Sequence, residues 1–264
     1  MRYLLIALSC GWPLLAGVNP RELVRQSIAN GAKAWSESRA YSCTKLDVDQ
    51  QFDAGGRVKS TDRDVYRIVP IAGDAFEEHV EHDGEPLRGE AQQKQHIELE
   101  KRERETPWQR AARLAREQRE RSYYQEIPDA FDFKIIGEET LSTGPAWVLE
   151  ATPRPGFQPR SRYAQVFPKM RGKLWIDKKD VQWVKADAVA MGTIYFGWFI
   201  ASLAKGSHIV IEQTRLADGT WVPRRIEAKA TARTFFTSHR FEEDLTYSDY
   251  RKGAYQAPLR AAKR

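Results

Sequence analysis

Hydrophobic and polar residues alternate along most of the chain, and the clearest example lies at residues 172–187. Leu174 and Ile176 occupy alternate positions there, so in an extended segment their side chains point to the same face. The polar run at 177–180 supplies a turn. A period of two is typical of a half-buried antiparallel strand. This stretch therefore predicts two strands joined by a turn.

The second strand of this hairpin carries small apolar residues on one face. Val184, Ala186 and Ala188 alternate with Trp183 and Lys185. The alternation predicts that Trp183 lies on the polar face, opposite Val184.

Runs of the same kind recur on both sides of the hairpin, separated by tight-turn pairs such as Asp83-Gly84 and Asp218-Gly219. The further predicted strands are 41–52, 57–69, 75–81, 131–138, 147–152, 163–167, 207–215, 220–232 and 235–250. We predict a mainly β, α+β fold, in which one curved antiparallel sheet packs against helices.

The segment before the first strand has the pattern of a capped helix. Asn19 can cap its start, Pro20 suits its first position, and Glu22 can reach back to the free backbone amide. The helix is expected to end near Ser38. Its apolar side consists of Leu23, Val24, Ile28 and Trp35.

Residues 90–124 interrupt the strand pattern with a charged segment. Thr106, Pro107 and Gln109 form a capping-box sequence that divides it into two predicted helices. Apart from one apolar face on the second helix, the segment is mostly Arg and Glu. That face contains Trp108, Ala111, Ala112 and Ala115, with Leu114 at its edge.

The segment is interpreted as a solvated helical insertion between strands, with a mobile lid over the open face of the sheet as the alternative. Glutamates interleave with the arginines, whereas a phosphate-binding face would be nearly all basic. We therefore expect no nucleic-acid partner.

The most apolar stretch after the leader is 193–205. Phe196, Phe199, Ile200 and Leu203 have the spacing of one helical face, and Gly206 can end a helix there. The stretch is short enough that a buried strand is an equal alternative.

Composition and length favour a globular domain. The chain has 264 residues, of which 41% are hydrophobic and 30% charged, and its net charge of +6 neither demands nor excludes an anionic partner. We predict one domain over 19–252, with the insertion near 90–124, followed by a flexible basic tail at 253–264.

Residues 1–17 have a basic start, an apolar run and small residues at the end, as in a secretory signal peptide. Cleavage near Ala16 or Gly17 is the first prediction, and lipidation of Cys10 is the alternative, because the sequence around it is a poor lipoprotein box. After cleavage Cys43 is the only cysteine, and we expect it to be a small buried hydrophobe.

The sequence offers little catalytic chemistry. It has no glycine-rich phosphate loop and no nucleophile elbow. His79 and His82, beside Asp83, form the only cluster that resembles a metal site, but residues three apart on a strand should point to opposite faces. We therefore predict no metal, no cofactor and no catalytic residue, and an envelope hydrolase built on this cluster is the least favoured hypothesis.

The hairpin also carries a resemblance. The run Gly172-Lys-Leu-Trp-Ile-Asp-Lys, the step Gly206-Ser207 into Ile209-Val-Ile-Glu-Gln, and Gly219-Thr-Trp-Val-Pro-Arg resemble the outer-membrane lipoprotein-sorting family. That family includes the periplasmic carrier LolA, the LppX group and the MucB/RseB group. The resemblance implies a strongly curved sheet forming an open half-barrel, with helices packed across its concave face.

It also implies a periplasmic envelope protein that holds a lipid, or the acyl chains of a lipoprotein, in an apolar cavity. The alternative is an envelope-stress regulatory or scaffolding protein that binds an inner- or outer-membrane protein through the same fold. A monomer is expected, which would be an outer-membrane lipoprotein if Cys10 is lipidated. The predicted cavity residues are Trp147, Leu149, Leu174, Ile176, Phe196, Phe199, Ile200, Leu203 and Trp221.

Overall fold

The computed structural model of the protein describes residues 17–71, 73–196, 201–234 and 237–253. Thirteen strands form one sheet. They are β1 (Tyr41–Phe52), β2 (Val58–Ile71), β3 (Asp74–His82), β4 (Glu85–Pro86), β5 (Phe131–Leu141), β6 (Gly144–Pro153), β7 (Met170–Asp177), β8 (Trp183–Ala190), β9 (Ile194–Phe196), β10 (Ala201–Leu203), β11 (His208–Arg215), β12 (Trp221–Thr234) and β13 (Thr237–Lys252). The α-helices are α1 (Pro20–Ser38), α2 (Gly89–Glu103), α3 (Pro107–Arg121) and α4 (Ile127–Ala130).

The sheet is antiparallel and open. Its strand order is β4-β3-β2-β1-β13-β12-β11-β8-β7-β6-β5, with β10 pairing to β12 and β9 beside this path. Most neighbours are consecutive hairpins, while β1 pairs with the last strand, β13. Within the described residues β4 and β5 end the path without meeting each other. The predicted mainly β, α+β half-barrel is confirmed.

Helix α1 packs across the inner, concave face of the sheet. Asn19 caps it as predicted, since its side-chain oxygen accepts hydrogen bonds from the backbone amides of Arg21 at 3.0 Å and Glu22 at 3.3 Å. On its apolar side Leu23 and Val24 are buried. They form one core cluster with Leu149 of β6 and Ile176 of β7.

A β-bulge changes the predicted orientation of Trp183. In the pairing of β7 with β8, Ile176 lies opposite Trp183, and Val184 is an extra residue. Trp183 therefore lies beneath α1, where a Cβ added to Gly31 would stand 2.6 Å from its indole Nε1. The prediction that Trp183 lies on the polar face was wrong, because an inserted residue reverses the alternation.

The charged insertion forms the two predicted helices, divided at the predicted cap. The Thr106 hydroxyl accepts from the Gln109 amide at 3.3 Å, and the Gln109 side chain accepts from the Thr106 amide at 2.9 Å. Leu99 of α2 packs in a buried cluster, so this helix is attached to the sheet. The cluster contains Val69, Ile71, Phe76 and Leu99. Trp108, on the predicted apolar face of α3, is 79% exposed.

The helices meet the sheet at one buried carboxylate. Asp74, at the start of β3, forms ion pairs with Arg39 after α1, Arg102 of α2 and Arg113 of α3. The Arg102 pair measures 2.9 Å. Glu105 also binds Arg113, at 3.0 Å. This cluster joins three helices to one end of the sheet.

One predicted strand is wrong, and the two alternatives for residues 193–205 are decided. Residues 163–167 are not a strand, because Ala164–Lys169 forms a 3-10 helix whose Phe167 packs on Phe131 at 5.5 Å between ring centres. The stretch 193–205 contains the paired strands β9 and β10 in its described part, so the strand alternative fits and the helix does not.

Candidate ligand-binding face

One continuous row of paired residues crosses the inner face from β6 to β3. Residues opposite each other in neighbouring antiparallel strands share a face, so the pairings alone establish which side chains lie together. The row, called the inner row below, consists of Leu149, Leu174, Ala186, Ile211, Ile226, Leu245, Asp47, Asp64 and His82. It is apolar over its first six positions and polar over its last three.

A neighbouring row on the same face has the same character. It begins with Ala151, Gly172 and Ala188 and ends with the carboxylates of Asp49 and Asp62. Between them lie Ile209, Ala228 and Glu243. Gly172 has no room for a side chain, because a Cβ there would stand 2.1 Å from the backbone oxygen of Asp187.

The middle strands β7, β8, β11, β12 and β13 carry the apolar part of both rows, which we call the apolar trough. Its residues are Leu174, Ala186, Ala188, Ile209, Ile211, Ile226, Ala228 and Leu245, and all are half-buried. Leu174 touches the core cluster beneath α1. The other seven belong to none of the buried clusters of the described residues. The trough is thus an apolar surface beside α1 rather than part of the packed interior.

The opposite face of the same strands is charged. Asp244 accepts two hydrogen bonds from Arg225, at 2.9 and 2.6 Å, and Lys229 lies 3.3 Å from Glu242. Hydrogen bonding and attraction between the first two groups raise the pKa of Arg225 and lower that of Asp244. A second cross-strand pair joins His208 to Asp187 at 2.8 Å. The two faces therefore differ sharply in chemistry, as expected for a sheet with one solvated side.

The residues predicted from sequence to line a cavity are divided by the structure. Leu149 and Ile176 are fully buried beneath α1, and Trp221 is buried with Ala34 of that helix. Trp147 is partly buried at the margin of the core cluster. Leu149, Ile176 and Trp221 thus share core clusters with residues of α1.

The remaining predicted positions lie near β9 and β10. Leu203 is half-buried in β10. Phe196 ends β9, and its side chain lies outside the described part, as do residues Phe199 and Ile200 entirely. Cys10, the leader and the tail beyond residue 253 also lie outside it.

Sequence reasoning missed most of the trough. Alternation did place Ala186 and Ala188 together, and Ile209 and Ile211 alternate in the same way. Only the strand order shows that these pairs are neighbours and that Ile226 and Leu245 continue the surface. Alternation predicts which residues of a strand share its apolar face, but it does not predict which strands are neighbours in the sheet.

The polar end of the inner face contains a histidine–aspartate cluster that the sequence argument excluded. Asp64 Oδ1 lies 2.8 Å from His79 Nε2 and 2.7 Å from His82 Nδ1. The pairing of β2 with β3 shifts register so that Val80 is an extra residue, which places both histidines on one face. The expectation that they point apart was wrong for this reason.

Several carboxylates surround this cluster. Burial raises the pKa of Asp47, Asp49 and Glu243, and repulsion among neighbouring carboxylates adds to the effect. The hydrogen bond to Asp64 raises the pKa of His82. Lys45 is the opposing charge and lies 3.9 Å above the Tyr66 ring. This end of the face is therefore acidic, and its donor set is one that a metal ion could use.

The cysteine prediction is confirmed. Cys43 is 6% exposed, and burial raises the pKa of its thiol to about 11. Among the described residues, helices of the length and hydrophobicity needed to cross a bilayer are absent.

Comparison with protein-family models gives no match, and comparison with curated proteins gives none either. The chain is similar in structure to a LolA superfamily protein from Nitrosomonas europaea, at 11% identity over 94% of this chain and 99% of that one, with a TM-score of 0.36.

Two further solved structures are similar. One is a putative outer membrane lipoprotein-sorting protein domain from Vibrio parahaemolyticus, at 11% identity over 86% of this chain and 92% of the other, with a TM-score of 0.33. The other is the MucA/MucB complex of Pseudomonas aeruginosa, at 10% identity over 86% and 99%, with a TM-score of 0.23.

Proposed function

We propose that the protein is an exported, non-catalytic binding protein that holds an acyl chain of a lipid or lipoprotein on its apolar trough. The observation that carries this proposal is the trough itself, eight half-buried apolar residues on the face that α1 crosses. A set of apolar side chains aligned on one concave surface is a typical small-molecule binding feature. The opposite face of these strands carries cross-strand ion pairs instead.

The dimensions suit an extended hydrocarbon chain. From Leu174 to Leu245 the inner row crosses five strands, a span of about 19 Å at the usual strand spacing. Each methylene group transferred from water gains about 0.8 kcal/mol. Ten such groups would gain roughly 8 kcal/mol, enough to offset the lower estimates of the cost of association.

The test is binding of a fluorescent fatty acid to the purified mature protein, with mass spectrometry of lipids extracted from it. Ile211→Asn should weaken binding about tenfold or more, because a polar amide would then lie unpaired against hydrocarbon. Val210→Asn is the matched control, since Val210 is the next residue of β11 and is also half-buried, but it lies on the charged face.

Two results would remove the proposal. One is wild-type protein that carries no lipid and does not bind the probe. The other is equal loss of binding in Ile211→Asn and Val210→Asn with equal melting temperatures, since binding would then not involve the inner face.

Export is the second part of this proposal and rests on the leader at 1–17. Intact-mass measurement of protein purified from its native cell envelope distinguishes the two processing routes. Cleavage near Ala16 or Gly17 gives an unmodified chain, whereas lipidation gives a diacylated chain beginning at Cys10. A full-length chain retaining Met1 in the cytoplasmic fraction would contradict export.

One observation favours protein binding as a second candidate function. Trp108 of α3 is 79% exposed and Ile97 of α2 is 55% exposed, and large exposed apolar side chains are common at protein interfaces. If this surface binds a protein, Trp108→Gln should abolish the binding of an envelope protein in a pull-down and leave fatty-acid binding unchanged. Arg116→Gln, an exposed change on the same helix, is the control, and equal capture by all three proteins would argue against this function.

A further inference from the structure

Two histidines and one aspartate converge on the inner face at β2 and β3. The ligand atoms of Asp64, His79 and His82 all lie within 4.8 Å of one another. Asp64 and His82 are directly paired across the two strands, and the extra residue Val80 brings His79 to the same face. The convergence therefore comes from the backbone register and does not depend on a chance approach of surface side chains.

Neighbouring side chains support the two imidazole rings. The ring of Tyr66 stacks on His79 with centroids 4.6 Å apart and planes 25° apart, which restricts the orientation of that imidazole. The second nitrogen of His82, Nε2, lies 3.6 Å from Asp83 Oδ2. Asp83 is itself held, because its Oδ1 accepts a hydrogen bond from the Arg63 amide at 2.9 Å.

A carboxylate also lies near the second ring nitrogen of His82. A ligating histidine usually presents its other ring nitrogen to a carboxylate or carbonyl, which fixes the ring and its tautomer. Asp83 Oδ2 lies on that side of His82, 3.6 Å from Nε2, which is just beyond hydrogen-bond distance. His208 on the charged face also contacts a carboxylate, Asp187 at 2.8 Å, but that pair belongs to none of the three-ligand clusters found among the described residues.

The electrostatic environment favours a cation. Asp47 neighbours Asp64 across β1 and β2, and Asp49 neighbours Asp62 in the next pair on the same face. The counter-charge is Lys45, which forms an ion pair with Glu77. Carboxylates therefore outnumber cationic groups on this part of the inner face.

The site is also accessible. Side-chain exposure is 22% for His79, 24% for Asp64 and 52% for His82. A metal ion can reach these atoms from solvent, and three protein ligands leave at least one coordination position open.

We propose that Asp64 Oδ1, His79 Nε2 and His82 Nδ1 bind a divalent transition-metal ion, of which Zn²⁺ is the representative. Two imidazoles and one carboxylate suit Zn²⁺ and its neighbours in the first transition series, whereas Mg²⁺ and Ca²⁺ prefer sites made of oxygen. On binding, the metal replaces the hydrogen bond between His82 Nδ1 and Asp64 Oδ1 and the one between His79 Nε2 and the backbone oxygen of Glu81, at 2.9 Å. The inference does not depend on lipid binding.

The test is calorimetric titration of the metal-stripped mature protein with Zn²⁺, and with Co²⁺ to record the visible absorption of a nitrogen-ligated ion. We expect one ion per chain. His82→Ala and Asp64→Asn should each weaken Zn²⁺ binding at least tenfold and reduce the Co²⁺ absorption. His208→Ala removes a histidine from the other His–Asp pair and should bind like wild type.

His82 is exposed, so His82→Ala is expected to fold, and circular dichroism verifies this. Titration with Mg²⁺ should give no comparable heat. The proposal is overturned if wild type and His82→Ala bind Zn²⁺ equally, or if His208→Ala loses as much affinity as His82→Ala, since the ion would then bind elsewhere on the chain.

Discussion

Asp74 connects several elements of the structure through ion pairs. Its side chain is 3% exposed and contacts guanidinium groups from three different segments, Arg39, Arg102 and Arg113. The carboxylate neutralises these three guanidinium groups, which would otherwise be partly buried next to one another without this counter-charge.

Replacing it should therefore be costly. Asp74→Asn leaves three partly buried guanidinium groups around a neutral amide, and we expect a loss of about 3–5 kcal/mol in the free energy of unfolding, measured by urea denaturation. Glu120→Gln removes an exposed partner of Arg116 on α3 and should change stability by about 0.5 kcal/mol or less. Similar stability of the two variants would show that the cluster does not anchor the helices.

Cys43 provides a second prediction at the level of a single group. Burial raises the pKa of its thiol from the ordinary value of 9.0 to about 11. At pH 8 the folded thiol is almost entirely protonated, so in a Cys10→Ser variant it should react slowly with a disulfide reagent and quickly after unfolding in urea.

The same shift has a consequence for stability. As the pH rises from about 9 to about 11, the unfolded chain releases the thiol proton while the folded chain retains it. The contribution of Cys43 to stability is therefore complete below pH 9 and falls across this range. A Cys43→Ala variant should lack this component, and an unchanged pH dependence would contradict the assignment.

At the level of elements, the capping box of α3 allows a direct test. Thr106→Ala removes the hydroxyl that accepts from the Gln109 amide, and we expect a loss of about 1 kcal/mol in the free energy of unfolding. Thr106→Ser keeps the hydroxyl and should retain most of the stability. Equal losses in the two variants would indicate that the methyl group matters and the cap does not.

Gly172 lies in β7 opposite β8, where the backbone of Asp187 leaves no space for a side chain. Gly172→Ala should destabilise the protein by roughly 1–3 kcal/mol, since backbone must shift to relieve overpacking. Gly137→Ala in β5, where a Cβ would meet nothing within 4 Å, is the control. The measurement is thermal denaturation of both variants. Equal melting temperatures for Gly172→Ala and Gly137→Ala would contradict the close contact at Gly172.

Bulges mark the limit of what the sequence predicts about these elements. Alternation, capping residues and turn pairs correctly indicated α1, α2, α3 and most strands. The same alternation misplaced Trp183 and separated His79 from His82, because Val184 and Val80 are inserted residues. Neither valine differs in type from an ordinary strand residue, so local composition gives no signal of a bulge.

At the level of the whole molecule, the main path of the open sheet ends at two edge strands, β4 and β5, in the part of the chain that the structure describes. β4 is only two residues long, and β5 carries Lys134, Glu138 and an extra residue, Ile136, in its pairing. Short strands, bulges and charges all discourage edge-to-edge association. The order of the eleven strands along this path could not be derived from alternation, and for that reason the apolar trough was largely missed.

The edge can be tested through self-association. Lys134→Val with Glu138→Val should shift the sedimentation profile from monomer toward dimers or larger species. Lys173→Val with Glu150→Val removes the same charges from a cross-strand pair inside the sheet and should remain monomeric. Association of both double variants to the same extent would point to lost charge alone and not to the strand edge.

The inner row described above changes character only once along its length, from hydrocarbon beside α1 to carboxylate and imidazole at β1, β2 and β3. An amphiphile with an uncharged polar head would have a single favoured direction along it, tail toward β6 and head toward β3, whereas an anionic head would be repelled by the carboxylates of Asp47 and Asp64. Under the proposed function, every molecule would then be loaded and unloaded in the same orientation, so the sheet would impose a polarity on its cargo without any moving part.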